Sequence, residues 1–174
     1  MKNFILSFAL ILFAVESAFA QTNRDDVVDF GAPVPLIIQS ESGTHEFQVE
    51  EAKTLEQQAR GMMFREEMGE DTGMIFEFAE PKLATIWMKN TAIPLDILFV
   101  RSNGEILKIE HMAQPYKLRS ASSEAVVAAV VELKGGRSNE LGIRPGDTVQ
   151  HAFFQNSKVT KLCRNPFKLN VGVH

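Results

Sequence analysis

The chain has little cysteine and little aromatic polarity: one Cys, one Trp and one Tyr in 174 residues. The lone thiol, Cys163, cannot close an internal disulfide, so the domain must hold together by its core. Charge of one sign is lacking as well. Lys and Arg number 18 against 22 Asp and Glu, a formal net charge of −4. With no basic block, the chain carries no electrostatic footprint for nucleic acid or for an anionic membrane surface. No apolar run reaches the roughly 20 residues that a bilayer-spanning helix needs. There is no Gly-x-Ser-x-Gly elbow, phosphate loop or dinucleotide fingerprint. His45, His111 and His151 fall in separate strands and His174 is terminal. No pair has zinc-ligand spacing. Neither a metal nor a cofactor is expected.

What is present at the N-terminus is a leader pattern. Met1-Lys2-Asn3 is a short basic start, Phe4 to Val15 is apolar and uncharged, and Ala18-Phe19-Ala20 is a small-x-small cleavage site. Residues 1–20 read as a signal peptide, with Glu16 interrupting the run before the cleavage site. Export to the bacterial cell envelope is therefore expected, periplasmic or secreted, with no membrane span after cleavage. The remainder has the length of one domain with a single core.

Residues 21–44 read as a lead-in segment. Pro33 and Pro35 discourage a helix there, and Ile37-Ile38 could start an edge strand. His45 to Val49 alternates like a strand. Thr54 with Gln57 forms a capping box for a short helix that Gly61 stops. Gly73 to Phe78 reads as a strand closed by Pro81, and Thr85 to Lys89 as another. Leu95 to Arg101 and Glu105 to His111 flank Asn103-Gly104, a strong hairpin signal. Val126 to Leu133 is apolar on both faces, as a central strand is. Arg137 to Leu141 suggests a helical turn, and Thr148 to Phe154 a last strand. Residues 45–155 then form one all-β domain, sandwich or barrel-like and mostly antiparallel, with one or two short helices. Residues 156–174 read as a C-terminal tail.

Several blocks carry a family resemblance. They are Glu50-x-Ala52-x-Thr54, Gly61-Met62-Met63-x-Arg65, Gly73-Met74-Ile75-Phe76-x-Phe78 and, most specific, Trp87-Met88-Lys89-Asn90-Thr91-x-Ile93-Pro94-Leu95-Asp96. Asn103-Gly104, Val131-Glu132-Leu133 with Gly135-Gly136, and Gly142-Ile143-x-Pro145-Gly146-Asp147 continue it. Together they resemble the family catalogued as domain of unknown function 192, over roughly His45 to Phe154. The resemblance implies a compact β-sandwich or barrel-like fold, often behind a signal peptide. It brings no activity, cofactor or catalytic residue.

The ten-residue block is also where binding chemistry concentrates. Trp87 offers a stacking platform for a ring-bearing ligand, or a core indole. Lys89, Asn90 and Arg65 add polar handles beside it. Asp96 begins an apolar strand, so a buried carboxylate tied to Lys89, Arg65 or the turn N–H groups of residues 90–93 is expected. Acid/base duty is the alternative use. Glu132 is the second isolated acid, either solvated at a strand end or paired with Asp96 as hydrolases pair carboxylates. The methionines at 62, 63, 68, 74 and 88 have no metal-box spacing and suit packing.

The candidate binding residues are thus Arg65, Trp87, Lys89, Asn90 and Asp96. The reading they favour is a non-catalytic binding or accessory module of the cell envelope, holding a small ligand, a glycan or an envelope protein's peptide. A hydrolase or lyase acting on an envelope polymer through Asp96 or Glu132 is the alternative.

Overall fold

The computed structural model describes residues 27–118 and 121–156. The signal-like leader, Cys163, His174 and the tail beyond residue 156 lie outside the described residues. Seven strands form one sheet: β1 (Val34–Ser40), β2 (Gly43–Ala52), β3 (Thr72–Ile86), β4 (Leu95–Val100), β5 (Ile106–Ala113), β6 (Ala121–Lys134) and β7 (Thr148–Gln150). Their spatial order is β5-β4-β6-β3-β2-β1-β7. Every pairing is antiparallel except β2 with β3. The chain is all-β, as its patterning indicates, with two short helices, α1 (Leu55–Arg60) and α2 (Arg137–Glu140).

The sheet curls until its two edges meet. Glu105 bridges Thr148, and Val149 N–H donates to the Gly104 carbonyl at 2.7 Å. Closure removes the exposed edges that an open sheet would present. Gly104 makes the seam possible. Its φ is +87°, and a Cβ there would sit 2.5 Å from the Val149 carbonyl oxygen.

Period-two alternation then defines two cores. Leu36, Ile38, Phe47, Val49, Ile75, Leu98, Val131 and Val149 fill the barrel interior. Met74, Phe76, Ile97, Phe99 and Val130 point outward and are covered by Met62, Met88 and Ile93 from the loops. All six residues of β4 are buried because both faces are covered. Each fully buried Leu, Ile or Phe side chain contributes about 1.5–3 kcal/mol of transfer free energy.

Three sequence expectations change here. The segment 21–44 contains β1, a full member of the barrel, because Leu36 and Ile38 supply interior side chains. Pro35 is tolerated there since β7 pairs only with Ile37 to Gln39. Pro81 does not close a strand either. β3 runs through it, and the register with β6 shifts between Glu77 and Lys82, a bulge that absorbs the missing N–H. The strand expected over Thr85 to Lys89 is instead the end of β3 followed by a turn, so Trp87 lies outside the sheet.

The helix signals hold. The Thr54 hydroxyl accepts from Gln57 N–H at 3.1 Å, and the Gln57 side chain accepts from Thr54 N–H at 3.0 Å. The Asn103-Gly104 hairpin joins β4 to β5, as the dipeptide indicates.

Candidate functional site

Asp96 lies on the interior-facing side of β4 with 0 % of its surface exposed. One carboxylate oxygen accepts from Met112 N–H and Gly136 N–H, each at 2.9 Å. The other accepts from Ser138 N–H at 2.9 Å and from the Ser138 hydroxyl at 2.5 Å. Four donors meet what a buried carboxylate requires. Asp96 is thus a tie, but to the β6–α2 turn and β5, and not to Lys89, Arg65 or the turn at 90–93. Its oxygens are committed to these four donors.

The Ser138 hydroxyl also lies 3.0 Å from His111 Nδ1. Asp, Ser and His therefore meet, but in an order unlike a nucleophilic triad. Serine is the central, fully buried member and spends its proton on Asp96, while His111 is exposed. A triad needs the serine at the open end with histidine between. The arrangement pins a turn.

Asp96 and Glu132 cannot act as a pair. In the β4–β6 register Asp96 faces Leu133, and Glu132 faces Ile97. One residue of offset puts the two side chains on opposite faces of the sheet. Glu132 is not solvated at a strand end. It is 4 % exposed, and its Oε2 has no hydrogen-bond partner among the described residues. Burial pushes its carboxyl up to about 8, an effect that the Arg65 charge partly offsets.

Glu132 forms the floor of a small pocket of about 90 Å³. Gly61, Met62 and Met63 form one wall and Trp87 and Thr91 another. The walls come from two separate sequence blocks held together by a main-chain bond, Phe64 N–H to the Asn90 carbonyl at 2.8 Å. Asn90 contributes through its backbone, at φ +55°, a conformation that Asn tolerates. Trp87 is half exposed at 51 %, and the Lys89 ammonium lies 5.6 Å from its ring centroid. Arg65 stands apart. It pairs with Glu50 and lines a neighbouring open depression of about 520 Å³, with Met62 as the shared wall. Of the residues singled out in the sequence, Trp87, Lys89 and Asn90 come together, Arg65 borders the next depression, and Asp96 lies across the sheet.

The sequence understated Glu132. Its strand-end position suggested solvent, whereas β3 and the residues 61–63 cover it. The signal was the acid embedded in Val130-Val131-Glu132-Leu133, an apolar run with buried neighbours on both sides.

A closed, largely antiparallel β domain with one ionisable floor under a narrow cleft is the class that fold and site define. The sequence model of the DUF192 family, described as uncharacterized ACR, matches residues 37–151, and the chain belongs to that family. Two solved structures are similar to it. One, a protein of unknown function from Novosphingobium aromaticivorans, is 43 % identical with a TM-score of 0.67, over 68 % of this chain and 85 % of that one. The other, described as a proposed transcription regulator from Sinorhizobium meliloti, is 37 % identical with a TM-score of 0.70, over 74 % of this chain and 99 % of that one. No curated protein matches the chain.

Proposed function

We propose that this protein is an exported, non-catalytic binding module of the cell envelope, which seats the tip of a ligand on Glu132. The single observation that carries the reading is the buried Glu132 carboxyl among the residues lining a cleft, its Oε2 without a hydrogen-bond partner among the described residues. An unsatisfied buried polar atom costs about 1–3 kcal/mol, and a ligand group that fills its valence recovers that. The volume decides what enters. About 90 Å³ is well below the several hundred Å³ of a whole-ligand pocket, so an end group enters and the rest lies outside. Trp87 and Lys89 at the rim then hold the remainder, by stacking and by charge. A hydroxyl- or amine-bearing tip on a larger glycan or peptide fits both parts.

The hydrolase reading through Asp96 or Glu132 is weaker on this geometry. Glu132 has a proton to give near neutral pH, but the second carboxylate lies on the other face of the sheet. A nucleic-acid role, which the description of the Sinorhizobium protein would suggest, finds no basic block in this chain. Among the described residues no helix is long and apolar enough to cross a membrane. The leader pattern at residues 1–20 supports export.

Trp87, the only tryptophan, gives a direct assay. Its emission should shift to the blue and saturate with a responding member of a panel of glycan oligomers and aminated peptides, and Glu132→Gln should weaken that response. A panel without any shift, or a response untouched by Glu132→Gln, would overturn the reading. Fractionation that finds the full chain in the cytoplasm with residues 1–20 intact would overturn its export.

A further inference from the structure

A second cluster of ionisable side chains lies at the mouth of the barrel, on the face opposite Glu132. Glu51 follows Val49 on β2 and Glu77 follows Ile75 on β3, each two residues beyond an interior side chain. The chain brings His151 to the same place directly after β7. One possible ligand atom from each of the three lies within 4.8 Å of the others. We propose that Glu51, Glu77 and His151 bind a divalent first-row transition ion of the Zn²⁺ class.

Three observations carry this. The first is the spacing. His151 Nε2 lies 3.7 Å from Glu51 Oε1, and His151 Nδ1 lies 3.8 Å from Glu77 Oε1. These separations are too long for hydrogen bonds. They engage different ring nitrogens, so an ion takes one of the two; with one ligand atom from each residue the set lies within 4.8 Å, and a small side-chain shift closes it around one ion with bonds of about 2.0–2.2 Å. The second is the burial of the imidazole. His151 is only 2 % exposed and is aimed at two carboxyl groups without hydrogen-bonding to either. The hydrogen bond it makes is a long one to its own cap, Phe153 N–H to Nδ1 at 3.3 Å. That bond is long enough to give way when Nε2, which faces Glu51, takes an ion and Nδ1 carries the proton. The third is the donor set. Two carboxylates balance a dication, and one imidazole favours Zn²⁺ or a similar ion over Ca²⁺ and Mg²⁺, which prefer all-oxygen sites.

Lys53 is the competing explanation. Its ammonium lies 2.7 Å from Glu51 Oε2 and supplies a positive charge at the rim. It engages the outer oxygen, however, and leaves Oε1 facing His151. Its side chain is 53 % exposed, so it can leave when an ion enters.

The test is calorimetric titration of the chelator-stripped protein with Zn²⁺, repeated with Co²⁺ by visible absorption. One equivalent should bind, and excess Mg²⁺ or Ca²⁺ should not displace it. Glu77→Gln, which preserves shape, should weaken binding at least about tenfold, the scale seen even for outer partners of metal ligands. His151→Gln should do the same, with circular dichroism to verify its fold. Lys53→Met should tighten binding by removing the competing charge. No stoichiometric binding by the wild type, or binding unchanged in a folded Glu77→Gln protein, overturns the proposal, because the ion would then sit elsewhere. Affinity unchanged by Lys53→Met also counts against it.

Discussion

Ser138 gives one oxygen of Asp96 two hydrogen bonds, from its main-chain N–H at 2.9 Å and its hydroxyl at 2.5 Å. The contact spans 42 residues of chain and joins the start of β4 to the first turn of α2. With Met112 and Gly136 it makes Asp96 the knot where β4, β5 and the β6–α2 turn meet.

Replacing that knot should be costly. Asp96→Asn substitutes an NH₂ for an acceptor and faces it with donors. The expected loss is about 3–5 kcal/mol, the range for breaking a buried charged network. Urea denaturation would measure it. A midpoint equal to that of the wild type would remove Asp96 from the structural role assigned to it.

Stability should fall as pH rises. The Glu132 carboxyl is raised to about 8 and the Glu77 carboxyl to about 7, both chiefly by burial. The folded state therefore holds protons that the unfolded chain, with carboxyls near 4.5, has released. The stabilisation is whole below about pH 4.5 and is lost as pH rises through 7 and 8. Glu132→Gln mimics the protonated form. It should be near neutral at pH 5 and stabilising at pH 9, on the order of a few kcal/mol. Thermal melts at the two pH values should show the benefit only at the higher one; an equal effect at both would contradict it.

Trp87 should report the same titration. It shares a pocket with Glu132, so ionisation beneath it alters its surroundings. Its emission is expected to change with a midpoint near pH 8, and Glu132→Gln should flatten the curve. Acrylamide should quench the wild type readily, since the indole is half exposed. A blue, unquenchable spectrum without pH dependence would place the ring in the core.

The barrel seam makes a fourth test. Gly104→Ala adds both left-handed strain and a collision with the Val149 carbonyl and the Asn156 side chain. Gly146→Ala has a comparable φ of +98° but open space around it. The first should cost clearly more than the second, which carries only the strain of about 1–2 kcal/mol. Equal losses would mean that the seam is not tightly closed.

Much of the fold is legible locally. The Thr54–Gln57 capping box, the Asn103-Gly104 hairpin and the doubly apolar Val126–Leu133 run each act over a few residues, and each forms as read. The misread parts involve neighbours remote in sequence. Pro81 looks like a terminus until a bulge opposite β6 accommodates it. Residues 34–40 look peripheral until β7, more than 100 positions later, pairs with them. His151 looks solitary because Glu51 and Glu77 reach it only across the barrel mouth.

The sequence alone determined the strand periodicity, the helix cap, the hairpin and the family, because these depend on side-chain spacing along the chain. Only the tertiary structure decided what the acids do. The register of β4 against β6, set by burying two different apolar faces, sends Asp96 inward to a saturated knot and Glu132 outward beneath Trp87. A shift of one residue would exchange those faces, and no local pattern specifies which partner strand stands at which offset.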